Sequence, residues 1–171
     1  MIHYRKPRPD EAEVFAALHV RCWREAYPAY LPAALMASFS VERRLPIWQA
    51  RLGNIKLFVL GAYVDGVAVG FVMSGPPDEK HIEDQDGHLW GIYILQAHKG
   101  KGIGRALVQR AHADWVSCGG KTMTVGVLAE NLAARRFYEK LGARFVHDGH
   151  YIWDGHKLKD CLYIWDDITK T

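Results

Sequence analysis

The chain has 171 residues, 49% hydrophobic and 24% charged, which suits a folded domain with a sizeable core and excludes a disordered chain. Its 22 basic and 19 acidic residues leave a net charge of +3, too weak a field to argue for a nucleic-acid or membrane partner. No apolar run approaches the roughly 20 residues that a membrane-spanning helix needs.

Residues 2–6 read as a short edge strand ended by Pro7 and Pro9. Asp10, with Glu13 three residues on, has the form of a helix N-cap with a capping box. Val14, Leu18 and Cys22 follow at helical spacing, and Ala17 widens the stripe. Pro28 and Pro32 interrupt the chain before a second helix over residues 41–52, kinked near Pro46. Residues 56–63 and 67–74 are β-rich runs joined by Asp65-Gly66, a strong hairpin signal. Gly75-Pro76-Pro77 opens a polar loop that ends near Gly87. Residues 89–95 are apolar on both alternating faces, as a central strand requires. A helix over about 102–116 carries the stripe Ile103, Leu107 and Ala111. A strand at 122–128 and a helix at 131–141 follow, closed by Gly142 at a C′ position. Strands near 144–153 and 159–165 finish the chain, so the pattern predicts an α/β fold with a mixed sheet and about four helices.

Cys22, Cys118 and Cys161 are odd in number and widely spaced, neither a disulfide framework nor a zinc pattern. The N-terminal segment lacks the apolar core of a signal peptide. A reduced, cytoplasmic protein, with one domain over residues 1–171, is the expectation.

The most informative segment is Lys99-Gly100-Lys101-Gly102-Ile103-Gly104, between a buried strand and an amphipathic helix. Glycines let the backbone bring its N–H groups close to a ligand, and the helix start adds free donors and partial positive charge. The turn therefore suits a phosphate or pyrophosphate, with Lys99 and Lys101 adding cationic charge. The plain alternative is a strand-to-helix turn made flexible by glycine. No Gly-x-x-x-x-Gly-Lys-Ser/Thr run exists, and the turn reads Gly-x-Gly-x-Gly rather than Gly-x-Gly-x-x-Gly, so neither nucleotide fingerprint fits.

From His88 to Leu107 the sequence resembles the signature strand, turn and helix of the GNAT acyl-CoA N-acyltransferase superfamily. That family's turn reads Gln/Arg-x-x-Gly-x-Gly/Ala; Gly102 and Gly104 match, while Lys99 at the first position keeps charge but not the guanidinium or amide. A second resemblance follows at Val127-Leu-Ala-Glu-Asn131 and Ala134-Arg-Arg-Phe-Tyr138-Glu-Lys-Leu-Gly142. Trp23 to Tyr27 and Tyr30-Leu31-Pro32 look like the substrate-side helices of bacterial members. The resemblance implies a GNAT-like fold with a central, largely antiparallel sheet. It also implies acetyl-CoA as co-substrate, a small-molecule amine as acceptor and no metal. The oligomeric state stays open, a homodimer included.

By that resemblance, backbone groups of Ile92, Tyr93 and Ile94 hold the pantetheine arm as an added strand. The N–H groups of Lys99, Gly100, Lys101, Gly102, Ile103 and Gly104 receive the pyrophosphate. Asn131 matches the family asparagine near the pantetheine, and equally suits an N-cap of the next helix. Transfer needs a neutral amine, yet an alkyl amine with a pKa near 10 is only about one part in a thousand neutral at pH 7. A base is therefore of value. His88 stands eleven residues before Lys99, where some members place a glutamate, and is the candidate base; an exposed strand-start residue is the other reading. Tyr138 matches the tyrosine that protonates the departing thiolate, against a simple packing role in its Phe-Tyr pair. The resemblance also implies an oxyanion contact from a backbone N–H near Ile92.

Two further groups are ambiguous. The acidic stretch with Glu83, Asp84 and Asp86 is a surface loop, a lip that attracts a cationic amine, or a water-relayed substitute for His88. His147, Asp148 and His150 are spaced suggestively for a metal, but are expected in a turn without a clear third partner. Competing functions are a protein N-terminal or lysine acetyltransferase, a weakly catalytic acyl-CoA-binding regulatory module, and a toxin acting on aminoacyl-tRNA.

Overall fold

Asp65 and Gly66 both take positive φ, 49° and 83°, and fold Phe58–Val64 (β2) back on Val67–Gly75 (β3). This is the turn geometry whose twist matches paired strands, and the Asp-Gly dipeptide supplies it. The same dipeptide, Asp154-Gly155 at 44° and 77°, joins Arg144–Trp153 (β6) to His156–Trp165 (β7). The computed structural model describes residues 1–77 and 87–170.

Ile2–Arg5 (β1), His88–Ile94 (β4) and Met123–Leu128 (β5) complete a seven-stranded sheet in the order β1-β2-β3-β4-β5-β7-β6. Every neighbouring pair is antiparallel except β4 with β5. The sheet is thus mixed and largely antiparallel, as expected. Its helices are Ala12–Ala26 (α1), Ala33–Ala37 (α2), Val41–Gly53 (α3), Ile103–Ser117 (α4) and Leu132–Lys140 (α5). The five-residue α2, just after Pro32, is the helix that the sequence pattern does not predict. Among the described residues no helix is long and apolar enough to cross a membrane.

The entry to α1 differs from expectation. Pro9–Glu11 forms a 3-10 turn, and Glu11, not Glu13, closes the capping box by accepting the Arg8 N–H at 2.8 Å. Arg5 adds a two-pronged bond to the same carboxylate, 2.7 Å on each oxygen. Asp10 pairs instead with the Arg8 side chain. The buried face is therefore Phe15, Leu18, His19 and Cys22, and Val14, one step round the helix, is 50% exposed. His147, Asp148 and His150 lie within β6 rather than in a turn, and no cluster of metal-ligating side chains forms among the described residues. Cys22 and Cys161 are buried free thiols and Cys118 is an exposed one.

Candidate active site

Strands β4 and β5 pair only at His88–Thr124 and Leu89–Val125, then part. The gap leaves one edge of β4 open from Trp90 onward. Leu95 N–H donates to Val69 at 3.0 Å, which fixes the parity of the β3–β4 ladder. Counting back by twos, Tyr93 and Gly91 turn their backbone groups toward β3, while Ile94 and Ile92 turn theirs to the open edge. Of the three expected strand contacts, Ile92 and Ile94 thus present free backbone groups. Tyr93 spends its own on Phe71 and contributes its side chain instead. A register shift opposite Trp90 marks where the opening begins.

The glycine turn runs into α4 beside that edge. Gly100 and Gly102 have φ of 74° and 79°, in the region that glycine enters without strain. Gly102 caps α4 with no side chain over the helix end, and the first intrahelical bond among the described contacts there is Ala106 N–H to the Gly102 carbonyl. The amides of Ile103, Gly104 and Arg105 are left pointing out of the helix end as anion donors. Gly104 is needed for a different reason: a Cβ there would lie 3.0 Å from the Phe137 ring and 3.3 Å from Ile94. Lys99 borders the cavity at this turn; Lys101 does not.

Helix α5 brings in Tyr138. The Asn131 side chain accepts the Ala134 N–H at 3.1 Å and starts the helix, so its capping role is realised, and it borders the cavity as well. The Tyr163 hydroxyl bridges Arg135 and Glu139 at 2.9 Å each, and Trp165 donates to the Leu141 carbonyl at 2.9 Å. Those bonds clamp α5 to β7, and Tyr138 packs edge-on against Trp165. Burial, then the neighbouring Tyr93 hydroxyl, push the Tyr138 phenol well above its ordinary range.

His88 opens β4 buried rather than exposed, and its ring rests edge-on against Trp90. Its Nδ1 lies 2.8 Å from the Thr124 hydroxyl, which donates to the Gly87 carbonyl at 3.2 Å. With the Thr124 proton on the Gly87 carbonyl, Thr124 accepts from Nδ1–H and the lone pair lies on Nε2; this is the tautomer a base at Nε2 requires.

These parts border one cavity of about 960 Å³, at the upper end for a small-molecule site. One half is the β4 edge, the turn and α4. The other is aromatic: Trp23 and Tyr27 from α1 and its end, Tyr93 from β4, and Tyr151 and Trp153 from β6. Trp153 meets Trp23 with ring centroids 3.9 Å apart. The Tyr93 ring lies 6.5 Å from that of Tyr27, and burial raises the Tyr27, Tyr93 and Tyr138 phenols. Tyr151 and Trp153 fall on the strand expected near 144–153, but no motif in the sequence marks them as site residues. Glu83, Asp84 and Asp86 lie outside the described residues.

A model of the acetyltransferase (GNAT) family matches residues 13–143. The chain is 25% identical to the uncharacterized N-acetyltransferase YuaI of Bacillus subtilis, over 99% of this chain and 95% of that one. Across 51 residues, 30% of each chain, it is 37% identical to the L-methionine sulfoximine/L-methionine sulfone acetyltransferase of Salmonella typhimurium. The structure of yncA from Salmonella typhimurium with its cofactor acetyl-CoA superposes with a TM-score of 0.71 at 20% identity, covering 97% of this chain and 94% of that one. An open strand edge running into a bare helix N-terminus fits the thioester-bearing arm and diphosphate of such a co-substrate. The chain belongs to the acetyltransferase (GNAT) family and is an acetyl-CoA-dependent N-acetyltransferase.

Proposed function

We propose that the acceptor is the primary amine of a small molecule, which attacks acetyl-CoA directly in a ternary complex. The observation that carries this reading is the shared cavity, in which the open edge at Ile92 and Ile94, the phosphate-type turn and Tyr138 converge. The aromatic half, lined by Trp23, Tyr27, Tyr93, Tyr151 and Trp153, supports a small acceptor, because it offers a walled pocket rather than an open sheet edge for a peptide. The Salmonella relative named for L-methionine sulfoximine and sulfone points the same way.

In this mechanism the Lys99–Gly104 turn and the first amides of α4 hold the diphosphate. Ile92 and Ile94 bind the pantetheine amides, and Asn131 stands beside that arm. His88 Nε2 takes the amine proton, directly or through one water. The nitrogen attacks the thioester carbon, and the carbonyl oxygen gains negative charge against the Ile92 N–H. The intermediate collapses by breaking the C–S bond, and Tyr138 donates its proton to the sulfur. A phenol raised by burial is a weak acid against a thiol of reference pKa about 8.5. The same dry cavity raises the thiolate's affinity for a proton, which restores the match.

The test is product analysis after incubation with acetyl-CoA and a panel of small amines and short peptides. Free thiol and acetylated small amine should form in equal amounts. Thiol release without an acetylated amine, or preferential acetylation of the peptides, would overturn the reading.

A further inference from the structure

The stretch that carries the glycine turn is tied to the rest of the molecule at one point between two buried ends. Leu95 and Ile103 are buried, while the residues between them, His98 apart, are exposed. A Cβ at Gly100 or Gly102 would meet nothing within 4 Å, so the turn stands clear of its neighbours there. The His98 and Lys99 N–H groups bond back along the same stretch, to Leu95 at 2.9 Å and Gln96 at 3.2 Å. Among the described residues, one hydrogen bond joins residues 96–101 to another element. The Gln96 N–H donates to Glu25 Oε2, on α1, at 2.7 Å.

Glu25 is itself held. Its other oxygen takes Arg21, one helical turn earlier, at 3.2 Å. A carboxylate bonded through both oxygens is a well-fixed acceptor. Its negative charge opposes a diphosphate rather than attracting one, so its service to this stretch is one of position. Gln96 stands at the corner where the chain leaves β4: the N–H just before it, that of Leu95, still bonds to Val69 of β3. Gln96 also opens the 3-10 turn Gln96–His98, which runs straight into Lys99 and Gly100. The Glu25 bond therefore fixes the angle between the β4 edge and the glycine turn, the two surfaces that share one acyl donor.

We infer that Glu25 is a positioning residue for the acyl donor: its bond to Gln96 sets the diphosphate turn where the arm lying on β4 delivers its phosphates. The inference rests on the reading of that turn as the diphosphate site and goes beyond it. A binding loop already held in its bound form lowers the cost of ordering it when the ligand arrives.

The experiment measures Kd for CoA by calorimetry and, with an amine that the wild type acetylates, kinetics with acetyl-CoA and with S-acetylpantetheine, which has the thioester arm but no diphosphate. Glu25→Ala should raise Kd for CoA and KM for acetyl-CoA about tenfold, with kcat within about twofold of wild type. Glu25→Gln keeps an oxygen for the Gln96 N–H and should stay within about threefold of wild type. For S-acetylpantetheine, kcat/KM should be the same in all three proteins; if the wild type does not use it, the affinities decide. Gln96→Pro removes the N–H from the other side, at a first helical position that suits proline. In that background Glu25→Ala should cost no further affinity. Tm without ligand reports folding, and Glu25→Ser, too short to reach Gln96, stands in should the alanine variant be unfolded. An unchanged Kd in folded Glu25→Ala, an equal loss in Glu25→Gln, a parallel loss with S-acetylpantetheine, or a full Glu25→Ala cost in the Gln96→Pro background overturns the inference. Should Gly102→Glu also leave CoA affinity intact, the diphosphate site itself falls, and this inference with it.

Discussion

The two halves of the cavity are built from different materials. The donor half is backbone: the amides of Ile92 and Ile94, a turn held open by positive φ at Gly100 and Gly102, and the bare N-terminus of α4. The acceptor half is side chain: Trp23, Tyr27, Tyr93, Tyr151 and Trp153. A backbone site is tuned to one invariant ligand, since few substitutions alter it. A side-chain site can change its specificity residue by residue while the donor half stays as it is. That division lets one fold serve many amines with a single acyl donor.

The largest effect expected is on the donor half. Gly102→Glu forces a non-glycine residue to φ near 79° and sets a carboxylate at the anion site. The Kd for CoA, read by calorimetry, should rise by about a hundredfold or more. A folded variant with unchanged affinity would show that the turn does not hold the diphosphate.

A smaller effect, at the junction of the halves, is expected from His88→Gln. Glutamine can still reach Thr124 but cannot take up the amine proton. The kcat/KM should fall by about tenfold to a hundredfold, and the acidic limb that a neutral imidazole base imposes should flatten. CoA affinity should be unchanged, and an unaltered pH profile would assign the base elsewhere.

Outside both halves, Glu11→Gln should cost about 2 kcal/mol of stability and leave CoA affinity alone. The Arg5 bond, chiefly, holds the Glu11 carboxyl at about 2, below its ordinary 4.5. A depressed pKa contributes stability above the unfolded value and loses it as pH falls toward the folded one. The gap in Tm between wild type and variant should therefore be full at pH 7 and narrow between about pH 4.5 and 2. A gap independent of pH would remove the ion pair as its cause.

How much of this was legible follows the same division. The donor half is local in sequence: strand, glycine turn and helix occupy one continuous run from His88 to Ser117, so period and glycine spacing expose it. The parity that removes Tyr93 from the pantetheine ladder was not legible, because it depends on how β4 pairs with β3. The acceptor half draws on residues 23–27, 93 and 151–153, which only the fold brings together. The missed cap at Glu11 is a one-residue error of the usual kind at a helix end, and apolar spacing, which placed Leu18 and Cys22 correctly, put Val14 inside where Phe15 and His19 are.

Both halves meet at Tyr138, so the most direct test of the account is single-turnover acetyl transfer by Tyr138→Phe. The ring keeps its packing on Trp165, and the turn and β4 edge keep acetyl-CoA bound. The account predicts a transfer rate down by about a hundredfold with acetyl-CoA affinity unchanged, since only a proton delivered in the transition state is lost. It also predicts that the wild-type rate shows no alkaline limb from this phenol within the ordinary tyrosine range, because burial holds the proton on. A folded Tyr138→Phe protein that transfers acetyl at the wild-type rate would make Tyr138 a packing residue and contradict the account.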